Sequence, residues 1–498
     1  MLFGKGARLT LVIEDLTDTG EGIGHADGWA FFVKDAIPGD IVEATVMKMK
    51  SRYGYAHLDR IVTPSPDRVE PPCAVARACG GCQLQVMDYP AELHWKEKRV
   101  RQTLTRIGGI PEETLDKIMH PIMGMESGTA YRYRNKAQLP VAADRDGRLI
   151  TGFYAARTHS VIRMDDCLLG DPVFSEIARI ILKHAERAGL TAYDEKTGTG
   201  LLRHILIRKG HHSGQIGVTP VVNAVGNSAD ADRILPGASE LAEALFTAIP
   251  GMTSLSLNLN TARSNVILGR ELVPVRGDLR IEDEMCGLRF RISPLSFYQV
   301  NTAQAERLYR QAMEFAGLIG KETVIDLYCG IGTITLLAAR QAARVIGVEV
   351  VPEAIADAEQ NAALNGITNA AFRVGKAEEV LPKLLDEGIR ADVLIVDPPR
   401  AGLDPSCIEA IRILAPSRII YISCNPATLA RDLRLLCGDD SDREPSAAYR
   451  PEAVRACDLF AKTVHVEVCC LLERLRSAKD HIEISIDADD YYRIKDNK

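Results

Sequence analysis

The sequence predicts a multi-domain α/β + β protein, with an N-terminal five-stranded OB-like barrel, a central α+β domain and a C-terminal Rossmann-like domain. Three observations carry this. Short alternating runs separated by turn residues fill positions 1–62, a proline-rich polar stretch (TPSPDRVEPP) interrupts the chain at 63–72, and from Lys321 apolar strands alternate with helices. A length of 498 residues favours several domains over one. The expected division is 1–62, 63–290, 291–475 and an acidic extension at 476–498.

Composition narrows the classes. With 46% hydrophobic and 26% charged residues, the chain reads as a globular protein. A net charge of -7 argues against a globally basic nucleic-acid binder but leaves a local basic field open. The longest apolar runs, Val393 to Val396 and Ile419 to Ile422, are far too short for a bilayer. The start, MLFGKGARLT, lacks the apolar stretch of a signal peptide, so a cytoplasmic location is expected. Most of the 12 cysteines are scattered through apolar runs, which fits a reducing compartment.

In the first segment, Leu9 to Ile13, Trp29 to Val33, Ile41 to Lys48 and Tyr55 to Val62 read as strands, with a glycine-rich loop at Gly20 to Gly24. An OB-like barrel often carries nucleic acid, and a generic small β-domain fits the pattern equally well. After the linker come Cys73, Cys79 and Cys82, with Cys167 much later. Soft thiolates in such a group select zinc or an iron–sulfur cluster, and the residues leave both open. Residues 91–108 read as a basic amphipathic helix, a candidate to dock on the C-terminal domain, and Tyr131 to Lys136 and Arg203 to Lys209 are further basic pieces. Each could equally be a solvated face.

The C-terminal segment holds the chemistry. Asp326-Leu327-Tyr328-Cys329-Gly330-Ile331-Gly332 runs from a strand through a glycine loop into a helix, and the next strand ends in Glu349, 19 residues after Gly330. An acidic side chain at that distance is placed to meet ribose hydroxyls. The third glycine of the dinucleotide fingerprint is missing, which disfavours an NAD-dependent oxidoreductase. Later strands end in Asp397-Pro398-Pro399-Arg400 and in Ser423-Cys424-Asn425-Pro426, which puts Cys424 on the same rim as a nucleophile candidate. Near the end, His465 and Glu467 interrupt an apolar strand and should share one face.

Together these motifs, with Tyr131-Arg132-Tyr133-Arg134-Asn135-Lys136-Ala137-Gln138 and Phe297-Tyr298-Gln299-Val300-Asn301, resemble the RNA uracil-5-methyltransferase family over roughly residues 5–475. The resemblance is to the branch with a TRAM barrel and a [4Fe-4S] cluster that acts on 23S rRNA. It implies that Gln299, Tyr328, Glu349 and Asp397 contact S-adenosylmethionine, that Cys424 is the nucleophile and Glu467 the general base, and that Cys73, Cys79, Cys82 and Cys167 ligate the cluster, with zinc the second choice. It implies a covalent adduct between cysteine and C6 of uracil, a 23S rRNA partner and a monomer without an obligate protein partner. The barrel, the Lys96 to Arg106 helix and Tyr131 to Lys136 would supply phosphate contacts and stacking. Gly375-Lys376-Ala377 stands where a polar side chain near the adenine is expected, so Ala377 is not carried over. The alternatives are tRNA uracil-54 methylation and a non-catalytic Fe–S RNA-binding protein.

Overall fold

Five strands, β1 (Arg8–Leu16), β2 (Gly22–Ala26), β3 (Trp29–Val33), β4 (Ile41–Met49) and β5 (Tyr53–Thr63), close into a barrel in the order β1-β2-β3-β5-β4. They belong to a computed structural model that describes residues 3–126, 130–226, 231–438 and 449–475; the extension expected at 476–498 lies outside these. Alternate residues, among them Leu11, Ile13, Phe31, Val33, Val42 and Val46, fill the barrel. Of the glycine-rich stretch read as a loop, Gly20 lies in a turn and Gly22 to Gly24 open β2. A side chain at Gly24 would meet the Val12 carbonyl oxygen at 2.9 Å, so these glycines serve a close approach between backbones within the barrel.

Two helices and a strand follow: α1 (Tyr89–Arg106), α2 (Glu112–Ile118) and β6 (Met119–Met123). Asp88 caps α1 by accepting from Ala91 N at 2.8 Å, and Pro90 sits in the first turn, where no amide hydrogen is needed. The middle of the chain forms a seven-stranded sheet in the order β13-β12-β11-β10-β7-β8-β9. Its strands are β7 (Lys136–Ala143), β8 (Leu149–Tyr154), β9 (Val161–Arg163), β10 (Leu202–Lys209), β11 (Ile216–Val222), β12 (Met252–Leu259) and β13 (Glu271–Gly277). The helices α3 (Val173–Arg187), α4 (Ala231–Ile234) and α5 (Ala238–Ala248) accompany it, and α3 and α5 bury apolar stripes against it. A hairpin, β14 (Ile281–Met285) and β15 (Leu288–Ile292), leads on.

The last part alternates: α6 (Thr302–Ala316), β16 (Thr323–Leu327), α7 (Thr333–Ala339), β17 (Arg344–Glu349), α8 (Pro352–Leu364), β18 (Ala370–Val374), α9 (Ala377–Asp386), β19 (Val393–Val396), α10 (Pro405–Leu414), β20 (Arg418–Ser423), α11 (Pro426–Cys437), β21 (Tyr449–Cys457) and β22 (Glu467–Arg474). Its sheet runs β18-β17-β16-β19-β20-β22-β21-β6. The first five are parallel, β22 is antiparallel to both neighbours, and β6 joins the far edge. Apolar clusters cover both faces, so a strand such as β19 is buried throughout and reads as continuous Val-Leu-Ile-Val. From β16 the chain winds outward through β17 and β18, then returns to start β19 on the other side. That reversal opens a crevice at the carboxyl ends of β16 and β19, where open α/β sheets bind ligands.

Candidate active site

The residues singled out in the C-terminal segment gather at this crevice. In register, Leu327 pairs with Val396, so Tyr328 and Asp397 leave adjacent strand ends. The loop after β16 turns sharply: Tyr328, Gly330 and Gly332 have φ of 65°, 54° and 85°, and such values suit glycine but strain a tyrosine. Glu349 braces this loop, its carboxylate accepting from Gly330 N at 3.2 Å and from Val351 N at 3.0 Å. Tyr328, Glu349, Lys376, Ala377 and Pro399 line one cavity of about 520 Å³.

Ser423, the last residue of β20, pairs with Val468 of β22. One step further along this antiparallel register puts Cys424 opposite Glu467. Cys424 is partly exposed and Glu467 is buried. Burial, then the Glu467 charge, pushes the Cys424 thiol up to about 11; Arg400 opposes and Asp397 adds to the rise. Burial, then Asp397, pushes Glu467 up to about 8, again against Arg400. Burial raises Asp397 to about 7, although part of its surface opens to the crevice. The proline-rich loop after β19 and the cysteine loop after β20 are locked together: Asn425 Nδ2 and Thr428 Oγ1 both donate to the Arg400 carbonyl, at 3.1 and 3.3 Å.

Gln299 is buried on the loop before α6. Asn135 Nδ2 holds that loop by donating to the Gln299 carbonyl at 2.8 Å and to Thr302 Oγ1 at 2.9 Å. The Tyr309 hydroxyl on α6 faces the side chains of Gln299 and Thr333 and senses the charges of Asp397 and Glu467. Sequence reasoning did not single out Tyr309, Arg400 or Asp326. Asp326 is fully buried beneath the glycine loop, accepting from Thr335 Oγ1 at 2.5 Å through Oδ2, while among the described residues Oδ1 has no partner at hydrogen-bond distance. Burial lifts it to about 7, with the neighbouring Asp397 adding to the rise. An acidic residue closing the strand before the glycines was the available signal.

His465 does not share a strand with Glu467. Lys462 has φ of 65° and the Thr463 hydroxyl accepts from His465 N at 3.2 Å, so β22 begins only at Glu467. His465 instead faces Arg400, with ring nitrogens 3.4 and 3.5 Å from the guanidinium.

The four N-terminal cysteines lie near one another, all partly exposed. Burial raises the Cys82 thiol to about 12, and the charges of Cys167, Cys79 and Cys73 add to this. Among the described residues, no group of three or more His, Cys, Asp or Glu side chains is arranged to hold a metal ion. The donor set itself, four soft sulfurs, suits an iron–sulfur cluster or zinc. The loop's Gln83 and Leu84 amides both donate to the Lys462 carbonyl at 3.1 Å, which ties it to the segment leading into Glu467.

The basic helix α1 differs from expectation. Lys96 is fully buried and pairs with Glu92 and Asp458. Its aliphatic neighbours place it on the packed face, so it cannot contribute a phosphate contact. In Arg203 to Lys209, Arg203 and Arg208 are buried and donate to backbone carbonyls.

The order β18-β17-β16-β19-β20-β22-β21, with one reversed strand, β6 added at the edge and a crevice at the β16–β19 switch point, defines a class I methyltransferase fold. A family model for tRNA (uracil-5-)-methyltransferase matches residues 251–475, and a TRAM domain model matches residues 4–58. An RNA methyltransferase of Halalkalibacterium halodurans is 44% identical over 94% of this chain and 97% of its own length. One from Clostridium tetani is 40% identical over 94% of this chain and 96% of its own. The crystal structure of Pyrococcus abyssi tRNA (uracil-54, C5)-methyltransferase in complex with S-adenosyl-L-homocysteine is similar with a TM-score of 0.71 and 25% identity, over 93% of this chain and all of that one. The chain belongs to the RNA (uracil-5-)-methyltransferase family. No helix among its described residues is long and apolar enough to cross a membrane.

Proposed function

We propose that this protein methylates C5 of a uridine in RNA, using S-adenosylmethionine and a covalent adduct between Cys424 and C6 of the base. The observation that carries the reading is the meeting of Cys424 and Glu467 on adjacent strand ends, beside Asp397 and the cavity of Tyr328 and Glu349.

The cofactor fits the residues present. Glu349 would take the ribose hydroxyls, Tyr328 would flank the adenosine, and Gln299 and Asp397 would hold the amino-acid end. When bound, S-adenosylmethionine supplies an electrophilic methyl group carrying positive charge. Asp397 and Glu467 ionise more readily beside a cation.

Uracil C5 is a weak nucleophile. Addition of the Cys424 sulfur to C6 leaves an enolate that places electron density on C5, which then takes the methyl group. Glu467 removes the C5 proton, and loss of Cys424 restores the ring. This divides one difficult step into easier ones. With its thiol near 11, Cys424 is only about 10⁻⁴ thiolate at pH 7, so the sulfur must lose its proton as it attacks. Arg400 favours the anions of both Cys424 and Glu467. The uridine must leave its stack to reach them, at a cost of roughly a few kcal/mol that RNA contacts offset. Phe297, 71% exposed two residues before Gln299, offers an aromatic face for stacking.

Cys73, Cys79, Cys82 and Cys167 would hold a [4Fe-4S] cluster, with zinc the second choice. Such a group would cross-link the cysteine loop to the segment carrying Cys167 and brace the RNA-binding region. A chelated, cluster-free protein that binds and methylates RNA normally would refute this bracing role. All the groups named come from one chain, so the reading requires no protein partner, and it assigns the cytoplasm as the compartment.

The substrate of this reading is 23S rRNA, on the strength of the N-terminal barrel. A second reading, tRNA, is favoured by the Pyrococcus abyssi enzyme, whose likeness covers 93% of this chain. RNA containing 5-fluorouridine should form a stable adduct with the protein that Cys424→Ala abolishes; no adduct with the unaltered protein would refute the mechanism. Mass mapping of 5-methyluridine in rRNA and tRNA, with and without the gene, separates the two substrates.

A further inference from the structure

Away from the crevice, a cavity of about 430 Å³ opens between α3 and the sheet strands β7, β8 and β9. Its wall has two chemically distinct parts. Leu139, Phe153, Phe174 and Leu182 form an apolar side. Arg134, Lys136, Arg148, Arg163, Arg179 and Lys183 bring six cations to it.

The three carboxylates in the wall offset only part of this charge. Asp171 pairs with Lys209 at 2.6 Å, and Asp165 stands 3.5 Å from Arg163. Glu186, on the exposed face of α3, is the third. Arg134, Lys136, Arg148, Arg179 and Lys183 have no carboxylate partner among the described residues. For Lys136 this matters most, because burial, and then the neighbouring Arg208 and Arg134 cations, lower it to about 7. Cations crowded around a concave surface without counter-charges are held against their mutual repulsion, and an anion relieves it. An apolar floor beside a cationic rim suits one ligand chemistry in particular: a planar base on the floor with its phosphate on the rim.

We propose that this cavity binds a nucleotide, its base against Phe153 and Phe174 and its phosphate among Lys136, Arg179 and Lys183. The source is an RNA nucleotide or a free mononucleotide. The RNA source rests on the methyltransferase reading above, and it gives the middle sheet a second grip on the substrate.

The experiment uses the full chain, with Arg179→Glu/Lys183→Glu on the exposed face of α3 and, separately, Lys136→Gln. Uridine and adenosine 5′-monophosphates are titrated by calorimetry, RNA affinity is measured across salt concentrations, and S-adenosylhomocysteine binding serves as the check on folding. For an RNA nucleotide, the α3 variant should bind RNA at least tenfold more weakly, its salt slope falling by about 0.7 per lost phosphate contact. The KM for RNA should rise while kcat holds. For a free nucleotide, a monophosphate should bind the unaltered protein and be lost in both variants while RNA affinity stays. If both variants keep the unaltered RNA affinity and salt slope, and no monophosphate binds the unaltered protein, the proposal is overturned. Adduct formation at Cys424 is scored independently: its absence would refute the methyltransferase reading while leaving nucleotide binding in this cavity to be judged by the calorimetry alone.

Discussion

Lys96 Nζ lies 2.7 Å from Asp458 Oδ1, and neither side chain is exposed to solvent. Glu92, one turn before Lys96 on α1, takes the same ammonium at 2.8 Å, and Tyr89 donates to the other oxygen of Asp458 at 2.8 Å. Asp458 begins the segment that ends at Glu467. Helix α1 is thus bolted through charge to the part of the chain that delivers the candidate base.

Replacing Lys96 by Met should therefore destabilise the protein by roughly 3–5 kcal/mol, because Asp458 is left as a buried charge without an ammonium partner while Glu92 keeps only Lys462, at 3.2 Å. Lys98→Ala, which breaks a partly exposed pair with Asp15, should stay within about 1 kcal/mol. Denaturant titration of the two variants checks the contrast; equal losses would contradict it.

Asp326 gives a stability test with a definite sign. Its folded pKa of about 7 lies above the ordinary 3.8, so between these values the folded state holds a proton that the unfolded chain has lost. Stability should fall as pH rises from about 4 to 7 on this account. Asp326→Asn removes the effect, and should raise the melting temperature at pH 8 but not at pH 4. Linkage puts the upper bound of the gain at roughly 4 kcal/mol. Thermal melts at the two pH values check it.

Arg400 should set where activity rises with pH. It favours the ionised forms of Cys424 and Glu467, whose pKa values stand near 11 and 8. In Arg400→Gln both rise further, so the ascending limb of kcat/KM should move to higher pH; a displacement of one unit, about 1.4 kcal/mol, lowers the rate on that limb about tenfold. Arg400→Lys, which keeps the charge, should restore the limb. A profile unchanged in Arg400→Gln would remove Arg400 from the chemistry.

Glu349→Gln should weaken S-adenosylhomocysteine by roughly 10- to 100-fold, in line with about 1.5–3 kcal/mol for hydrogen bonds to a charged group. The substitution loosens the Gly330 and Val351 amides and any ribose contact together. Calorimetry on the folded variant measures it.

The strand ends carrying Tyr328, Asp397 and Cys424 were legible because a parallel α/β sheet announces itself locally, as apolar runs closed by polar loops. The barrel was legible for the same reason, except β2, whose glycines mimic a loop. What lay beyond the sequence was long-range pairing. Nothing near Met119–Met123 says that it will join the far edge of the C-terminal sheet beside β21. Nothing in a run of lysines and arginines tells Lys96, sealed against Asp458, from a solvated neighbour. Asp326 was visible as a letter in a motif, yet its buried, half-satisfied carboxyl depends on Thr335 and Asp397 arriving from elsewhere.

The reversed strand β22 also dictates how this enzyme can vary. Its first residue, Glu467, pairs with Cys457 at the end of β21. Adding or deleting a single amino acid in β22 just after Glu467 would put a different residue opposite Cys424. Length changes in the turn from Asp458 to Val466 would instead be absorbed at the cost of the anchors to α1 and to the cysteine loop. Grafts and indels should accordingly be tolerated on the outer rim of the sheet long before they are tolerated in this hairpin.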